Sequence, residues 1–154
     1  MIEGNLYKAL LSRSMALCSK REYCIEDIRS RLHARGLGEK DSDRIIRILT
    51  KENFINEERY ARAFVNDKFI YNKWGKVKIS AHLKAKRIPS AIISDALNSI
   101  DDETYRKTAR DIIAVRRSQI RAKNQYDLKG RLLRYGLSKG YESSLLYDIL
   151  NDTG

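Results

Sequence analysis

Apolar residues recur along this chain at spacings of three and four, the period of one face of an α-helix. Leu6, Leu10, Leu11, Met15 and Leu17 make the first such stripe, with Asn5 as an N-cap candidate. Ile25, Ile28 and Leu32 make a second, which stops at Gly36. Ile45, Ile48 and Leu49 make a third. Asn56 has the clearest start signal: Glu57 and Glu58 follow it at the positive helix end, and Ile55 and Tyr60 have hydrophobic-staple spacing. That helix runs through Ala61, Phe64 and Val65 toward Asn72, and Gly75 breaks it.

The next segment is ambiguous at first. Val77 and Ile79 alternate like a strand, but Ile79 and Leu83, with Ala81 and Ala85, favour a helix. Pro89 fits the first turn of the helix that follows. Asp101, Asp102 and Glu103 open a long helix expected to reach residue 123. A helix over 125–139 stops at Gly140, and a last one carries Leu145, Leu146, Ile149 and Leu150.

These nine helices repeat in threes. The second helix of each group ends at Gly36-Leu37, Arg87-Ile88 or Gly140-Tyr141, 51 and 53 residues apart. The third carries an apolar pair four apart: Ile45/Leu49, Ile93/Leu97 or Leu146/Leu150. The pattern predicts an all-α fold of three tandem three-helix repeats, over 1–54, 55–99 and 100–154, in an elongated, curved array. A unit of about 50 residues buries little core alone, so neighbours must cover one another. Arg87 breaks the pattern. If the second helix ends in a left-handed residue, Gly suits the site and Arg costs roughly 1–2 kcal/mol.

Charge changes the picture next. The 154 residues carry a net charge of +11. Residues 1–67 are net +2, 68–94 net +7, 95–103 net −4, 104–139 net +9 and 140–154 net −3. A positive field confined to the middle and third quarter implies an acidic partner rather than a merely soluble surface. No apolar run approaches 18 residues, so no membrane is expected, and nothing resembles a signal peptide. The chain reads as cytoplasmic.

Catalytic chemistry has little to stand on. His33 and His82 lie on expected helices outside any HExxH or nucleophile arrangement, and no Gly-rich phosphate loop occurs. Cys18 and Cys24 are six apart, without a CxxC or Cys/His cluster, and read as reduced, partly buried side chains. No enzymatic activity, metal or cofactor is expected.

The basic residues say more. At 100° per residue, Arg106, Arg117, Arg110 and Arg121 fall within 60° of one another, beside the apolar face of Tyr105, Ala109 and Ile113. Like charges four apart destabilise a helix. Such a ridge, about 22 Å long at 1.5 Å per residue, therefore points to an anionic ligand. A second tract contains Lys68, Lys73, Lys76, Lys78, Lys84, Lys86 and Arg87, with Tyr71 and Trp74 among them. Lysines interleaved with aromatics suit nucleic-acid backbones and unstacked bases, although Trp74 reads first as packing between repeats at Gly75. Arg106, Arg110, Arg117 and Arg121 are the leading contact candidates, with Lys73, Lys76, Lys84 and Arg87 second. The residues alone leave two classes open: a nonspecific nucleic-acid-binding module, or a scaffold that binds an acidic nucleoprotein surface.

The stretch 53–88 resembles the RecX family, bacterial regulators of the RecA recombinase. The matching residues are Asn53, Phe54, Ile55, Asn56, Glu57, Arg59, Tyr60, Ala61, Phe64, Val65, Gly75, Lys78, Ile79, Leu83, Lys86 and Ile88. Upstream, Arg21, Leu32 and Gly36 resemble the family's first repeat. Asn53 and Arg87 stand where the family usually has Gly, which bears on local turn geometry. The resemblance implies three tandem three-helix repeats and a non-enzymatic, usually inhibitory modulator without cofactors. It implies binding in the groove of the RecA filament on single-stranded DNA, with free DNA as a secondary partner, and effects on ATP hydrolysis, filament extension and strand exchange. A monomer is expected. The alternative is a general, nonspecific DNA-binding helical-repeat protein.

Overall fold

The computed structural model describes residues 2–152, which form α-helices joined by short connections. In chain order these are α1 (Ile2–Lys20), α2 (Ile25–Ala34), α3 (Glu39–Lys51), α4 (Glu57–Ile70) and α5 (Lys76–Ala85). They are followed by α6 (Ser90–Asn98), α7 (Asp102–Gln119), α8 (Gln125–Ser138) and α9 (Ser143–Asp152). The protein is all-α, built as three tandem three-helix repeats. Helix packs on helix mainly inside each group: α1 and α2 on α3, α4 on α5 and α6, and α7 on α8 and α9.

Local chemistry explains the boundaries. The Asn56 side chain accepts the Arg59 N–H at 3.0 Å and caps α4, with Ile55 and Tyr60 both buried. Asp101 caps α7 through the Thr104 N–H at 3.0 Å, and Asn124 caps α8 through the Asp127 N–H at 2.8 Å. Ile79 is fully buried in α5 while Val77 is exposed, so the strand-like alternation was a helix with one apolar residue left outside. The second helix of each repeat ends in the same wound turn. Leu37, Ile88 and Tyr141 donate back to Leu32, Leu83 and Gly136 at 3.1, 3.2 and 3.1 Å. The residue between is left-handed each time: Gly36 at φ 88°, Arg87 at 59° and Gly140 at 94°.

Two boundaries differ from the sequence reading. α1 begins at Ile2, so Asn5 lies inside the helix and is exposed rather than capping it. A short polar residue on an exposed helix face costs only a few tenths of a kcal/mol, too little to stop propagation. α7 ends at Gln119, four residues early. Ile120 turns extended (ψ 131°) and packs partly buried against the core, and the chain then needs 121–124 to reach the α8 cap.

The repeats do not join in one way. The core of repeat 1, centred on Ile28, Ile45 and Leu49, is separate from the rest. A second core runs without interruption through repeats 2 and 3 and takes in Cys24 from the first. At the first junction the ties are polar. Arg59 Nε meets Glu22 at 2.9 Å, the Ile25 N–H meets Glu57 at 3.3 Å, and Lys86 Nζ meets Asp27 at 2.6 Å. At the second junction backbone meets backbone. The Gly75 and Val77 N–H groups donate to the Lys139 and Gly140 carbonyls at 2.7 and 2.9 Å. A Cβ on Gly75 would collide with the Gly140 carbonyl, so glycine is required there by proximity and not by backbone angle.

Candidate basic interface

The α7 ridge survives in part. Arg106 and Arg110 are exposed and Arg117 is half-buried on the expected face. Arg121 lies beyond the helix end, in the connection to α8, and leaves the ridge. The helical part, Arg106 to Arg117, therefore spans about 16 Å at 1.5 Å per residue. Arg106 is drawn back to Asp102, Nε to Oδ2 at 3.0 Å. Arg110 makes no hydrogen bond or ion pair among the described residues and presents its guanidinium to solvent.

The second group scatters. Lys76 is half-buried at the start of α5. Its N–H donates to the Tyr105 hydroxyl at 2.9 Å and its ammonium lies 4.8 Å from the Tyr105 ring centre. Lys76 and Arg106 line one polar cleft of about 120 Å³, so the two tracts meet there. The cleft also holds Asp102, Glu142 and Asp148, which compensate much of its charge. The Tyr105 hydroxyl donates to Glu142. Burial first, then that bond, pushes its ionisation well above the ordinary tyrosine range.

Lys73 is exposed and left-handed at φ 59°, and its carbonyl accepts the Tyr141 hydroxyl at 2.8 Å. Lys84 is exposed on α5. Arg87 is exposed at the first junction, lining a cleft with Glu26, Glu39, Asp43 and Glu57. Arg87 and Arg106 of α7 line different clefts. In that acidic setting Asp27 is half-buried, which raises its pKa, but hydrogen bonds from Lys86 and Cys24 outweigh this and hold it below the usual range. Glu57 is raised, by burial first.

Sequence ranking passed over the best-organised group. Trp74 is half-buried and packs against the core of repeats 2 and 3, as expected of it. Its ring is also flanked by the ammonium groups of Lys78 at 4.5 Å and Lys68 at 5.1 Å, with the His82 ring 4.7 Å away. Phe64 continues the row beyond His82, ring centres 6.4 Å apart. Beside it a groove of about 500 Å³ runs along α4, lined by Arg21, Tyr60, Phe64 and Lys68 together with the acids Glu22 and Asp67. Lys68 and Lys78 stood in the basic tract but were unranked. His82, set aside as outside any catalytic arrangement, is exposed yet packed against the Trp74 and Phe64 rings. The available signal was Lys78 and His82 one turn apart on α5, both able to reach the residue before Gly75. Two ammonium groups and edge-exposed rings suit a phosphate with a base beside it.

Comparison with known proteins gives this geometry a family. Residues 56–97 match the family model for the second three-helix domain of RecX. The regulatory protein RecX of Clostridium acetobutylicum is 31% identical over 157 residues, covering 99% of this chain and 72% of the relative. That of Clostridium beijerinckii is 32% identical over 127 residues, covering 81% of this chain and 59% of the relative. Among solved structures, one regulatory protein RecX superposes with a TM-score of 0.87 at 21% identity, over 97% of this chain and 74% of the other. RecX from Lactobacillus salivarius superposes with a TM-score of 0.82 at 18% identity, over 97% of both. By sequence and by fold, this chain belongs to the RecX family of regulatory proteins.

Proposed function

We propose that this protein regulates a RecA recombinase without catalysis of its own, by binding the RecA filament on single-stranded DNA. There it restrains ATP hydrolysis, filament extension and strand exchange, and so acts in DNA recombination, repair and the SOS response of the cytoplasm. Family membership carries the reading, because a regulatory RecX relative covers 99% of the chain. The surface supports it: unpaired Arg110, the cluster at Trp74 and the exposed Lys73 and Lys84 give phosphates and acidic side chains several separate contacts. We place the working units at 1–54, 55–99 and 100–154, so that one copy offers successive sites along a filament.

The test is single-strand-dependent ATP hydrolysis by the cognate recombinase, titrated with this protein far below the amount that coats the DNA. Inhibition in that range supports filament regulation. Inhibition only once naked DNA is coated supports a general DNA-binding protein. Arg110→Glu keeps the fold, because Arg110 is exposed and makes no bond to the described residues, and is expected to weaken filament binding at least tenfold. Unchanged inhibition by that variant removes α7 from the interface.

A further inference from the structure

The two internal junctions use corresponding positions in opposite ways. At each, the third residue after the N-cap of one second helix faces the C-cap residue of the next. At the first junction these are Asp27 and Lys86, an ion pair at 2.6 Å. At the second they are Lys78 and Lys139, two cations. Each ammonium finds only a carbonyl across the seam: Lys78 Nζ donates to Ser138 at 3.4 Å and Lys139 Nζ to Asn72 at 2.8 Å. Burial, then the Lys78 charge, pushes the Lys139 pKa below the ordinary lysine range. Neither lysine has an ion pair among the described residues, so the acid of the first junction has no counterpart here.

More positive charge gathers at the same seam. The turn over residues 71–75, to which Lys139 bonds, carries Lys73, exposed and with no side-chain partner among the described residues. Trp74 of that turn has Lys78 and Lys68 at 4.5 and 5.1 Å from its ring centre. Of the acids in the adjoining α4 groove, Glu22 is held by Arg59 at 2.9 Å, and exposed Asp67 is left to offset four lysines.

A ring stands free beside these charges. Tyr71 is 79% exposed and touches no other ring or cation among the described residues. Its backbone is still helical, so at 100° per residue it lies about 20° from Phe64 and about 60° from Lys68 on α4. The turn that carries it is fixed. The Tyr71 N–H donates to the Asp67 carbonyl at 3.0 Å, the Trp74 N–H to Lys68 at 3.1 Å, and the Lys73 carbonyl accepts the Tyr141 hydroxyl at 2.8 Å. A ligand therefore meets an aromatic face and cations that are already ordered, which lowers the entropy cost of binding. An acidic peptide would answer the lysines but not the ring. A duplex would answer the lysines but keeps its bases stacked inside. An unpaired strand answers both, because every base offers a face to an aromatic ring.

We infer that this seam holds single-stranded nucleic acid directly: one phosphate lies at Lys78 and Lys139, where the first junction has its carboxylate, and an adjacent base stacks on Tyr71. Lys68 and Lys73 meet neighbouring phosphates. The inference rests on the single-strand reading above and adds to it a contact that needs no recombinase.

The test is binding of the full chain to a thymidine oligomer of about 12 nucleotides, read by anisotropy of a labelled strand and, with unlabelled strand, by emission of Trp74, the chain's single tryptophan. Saturable binding with quenched emission is expected. Tyr71→Ala should weaken it at least fivefold with an unchanged salt dependence, since a ring and no charge is lost. Lys78→Asp gives the second junction the acid of the first, so it should keep the fold and weaken binding at least tenfold. Unchanged affinity in both variants overturns the proposal. So does a hairpin duplex that binds as tightly as the oligomer, which would leave the ring idle, and so does displacement of the oligomer by micromolar inorganic phosphate, which would mark a site for the free ion. Variants that keep the oligomer but lose DNA-free recombinase would assign the seam to an acidic protein surface and also overturn it. The filament reading stands or falls separately. Restraint of the recombinase ATPase by native protein upholds it even where the oligomer results fail, and absence of that restraint removes it even where they hold.

Discussion

Arg87 and Gly75 show how single residues divide between stability and use. Arg87 occupies a left-handed position that glycine fills in the matching turns of the other two repeats, at Gly36 and Gly140. A side chain there costs about 1 kcal/mol or more. Arg87→Gly is therefore expected to raise stability by about 1 kcal/mol, read as a higher denaturant midpoint with an unchanged slope. If the guanidinium contacts the filament, the same variant binds it more weakly. Gly75 is held by proximity, and Gly75→Ala should cost about 1–3 kcal/mol as the helix start backs away from the Gly140 carbonyl. Arg87 was legible as an anomaly because the repeat supplied its comparison. Left-handed Lys73, at φ 59°, was not: no comparison among the repeats marked it, and its carbonyl accepts the Tyr141 hydroxyl.

At the scale of elements, helix periodicity and start signals located nearly every helix, since caps and apolar stripes are local. What could not be read was where helices stop when tertiary contact decides. α7 yields four residues to the path toward α8, and Arg121 leaves the ridge with them. The Trp74 group was hidden for the same reason: Lys68, Trp74, Lys78 and His82 come from α4, a connection and α5, and only the fold brings them together. The first junction is an element-scale device with an acid limit. The Asp27 carboxyl is held below its unfolded pKa, so its contribution is complete above about pH 4 and is lost as pH falls through the folded value. Glu57 runs the other way: its raised pKa gives stability back as pH falls through it. Asp27→Asn should flatten the acid-side loss in a thermal-melt series from pH 6 to 3, and Glu57→Gln should remove the opposing gain.

Across the whole molecule the repeats are alike in plan and unequal in attachment. Repeat 1 keeps its own core and holds on through Arg59–Glu22 and Lys86–Asp27, while repeats 2 and 3 share a single core and interlocked backbone. Salt weakens exposed ion pairs more than buried apolar contact. Amide exchange in high salt is therefore expected to accelerate in α1–α3 first, with α4–α9 opening together. Uniform protection across all three repeats would contradict this.

The continuous core has a further consequence during synthesis. Ile79, Leu83 and Ile93 of repeat 2 are buried in one cluster with Tyr105, Leu132 and Leu146 of repeat 3. The first repeat can collapse onto itself as soon as it leaves the ribosome. The second emerges with part of that shared core still unmade, and at roughly 5–20 residues per second it waits some seconds for the third. In that interval its bare apolar face, flanked by Lys68 and Lys78, is the stretch of nascent chain most in need of a chaperone.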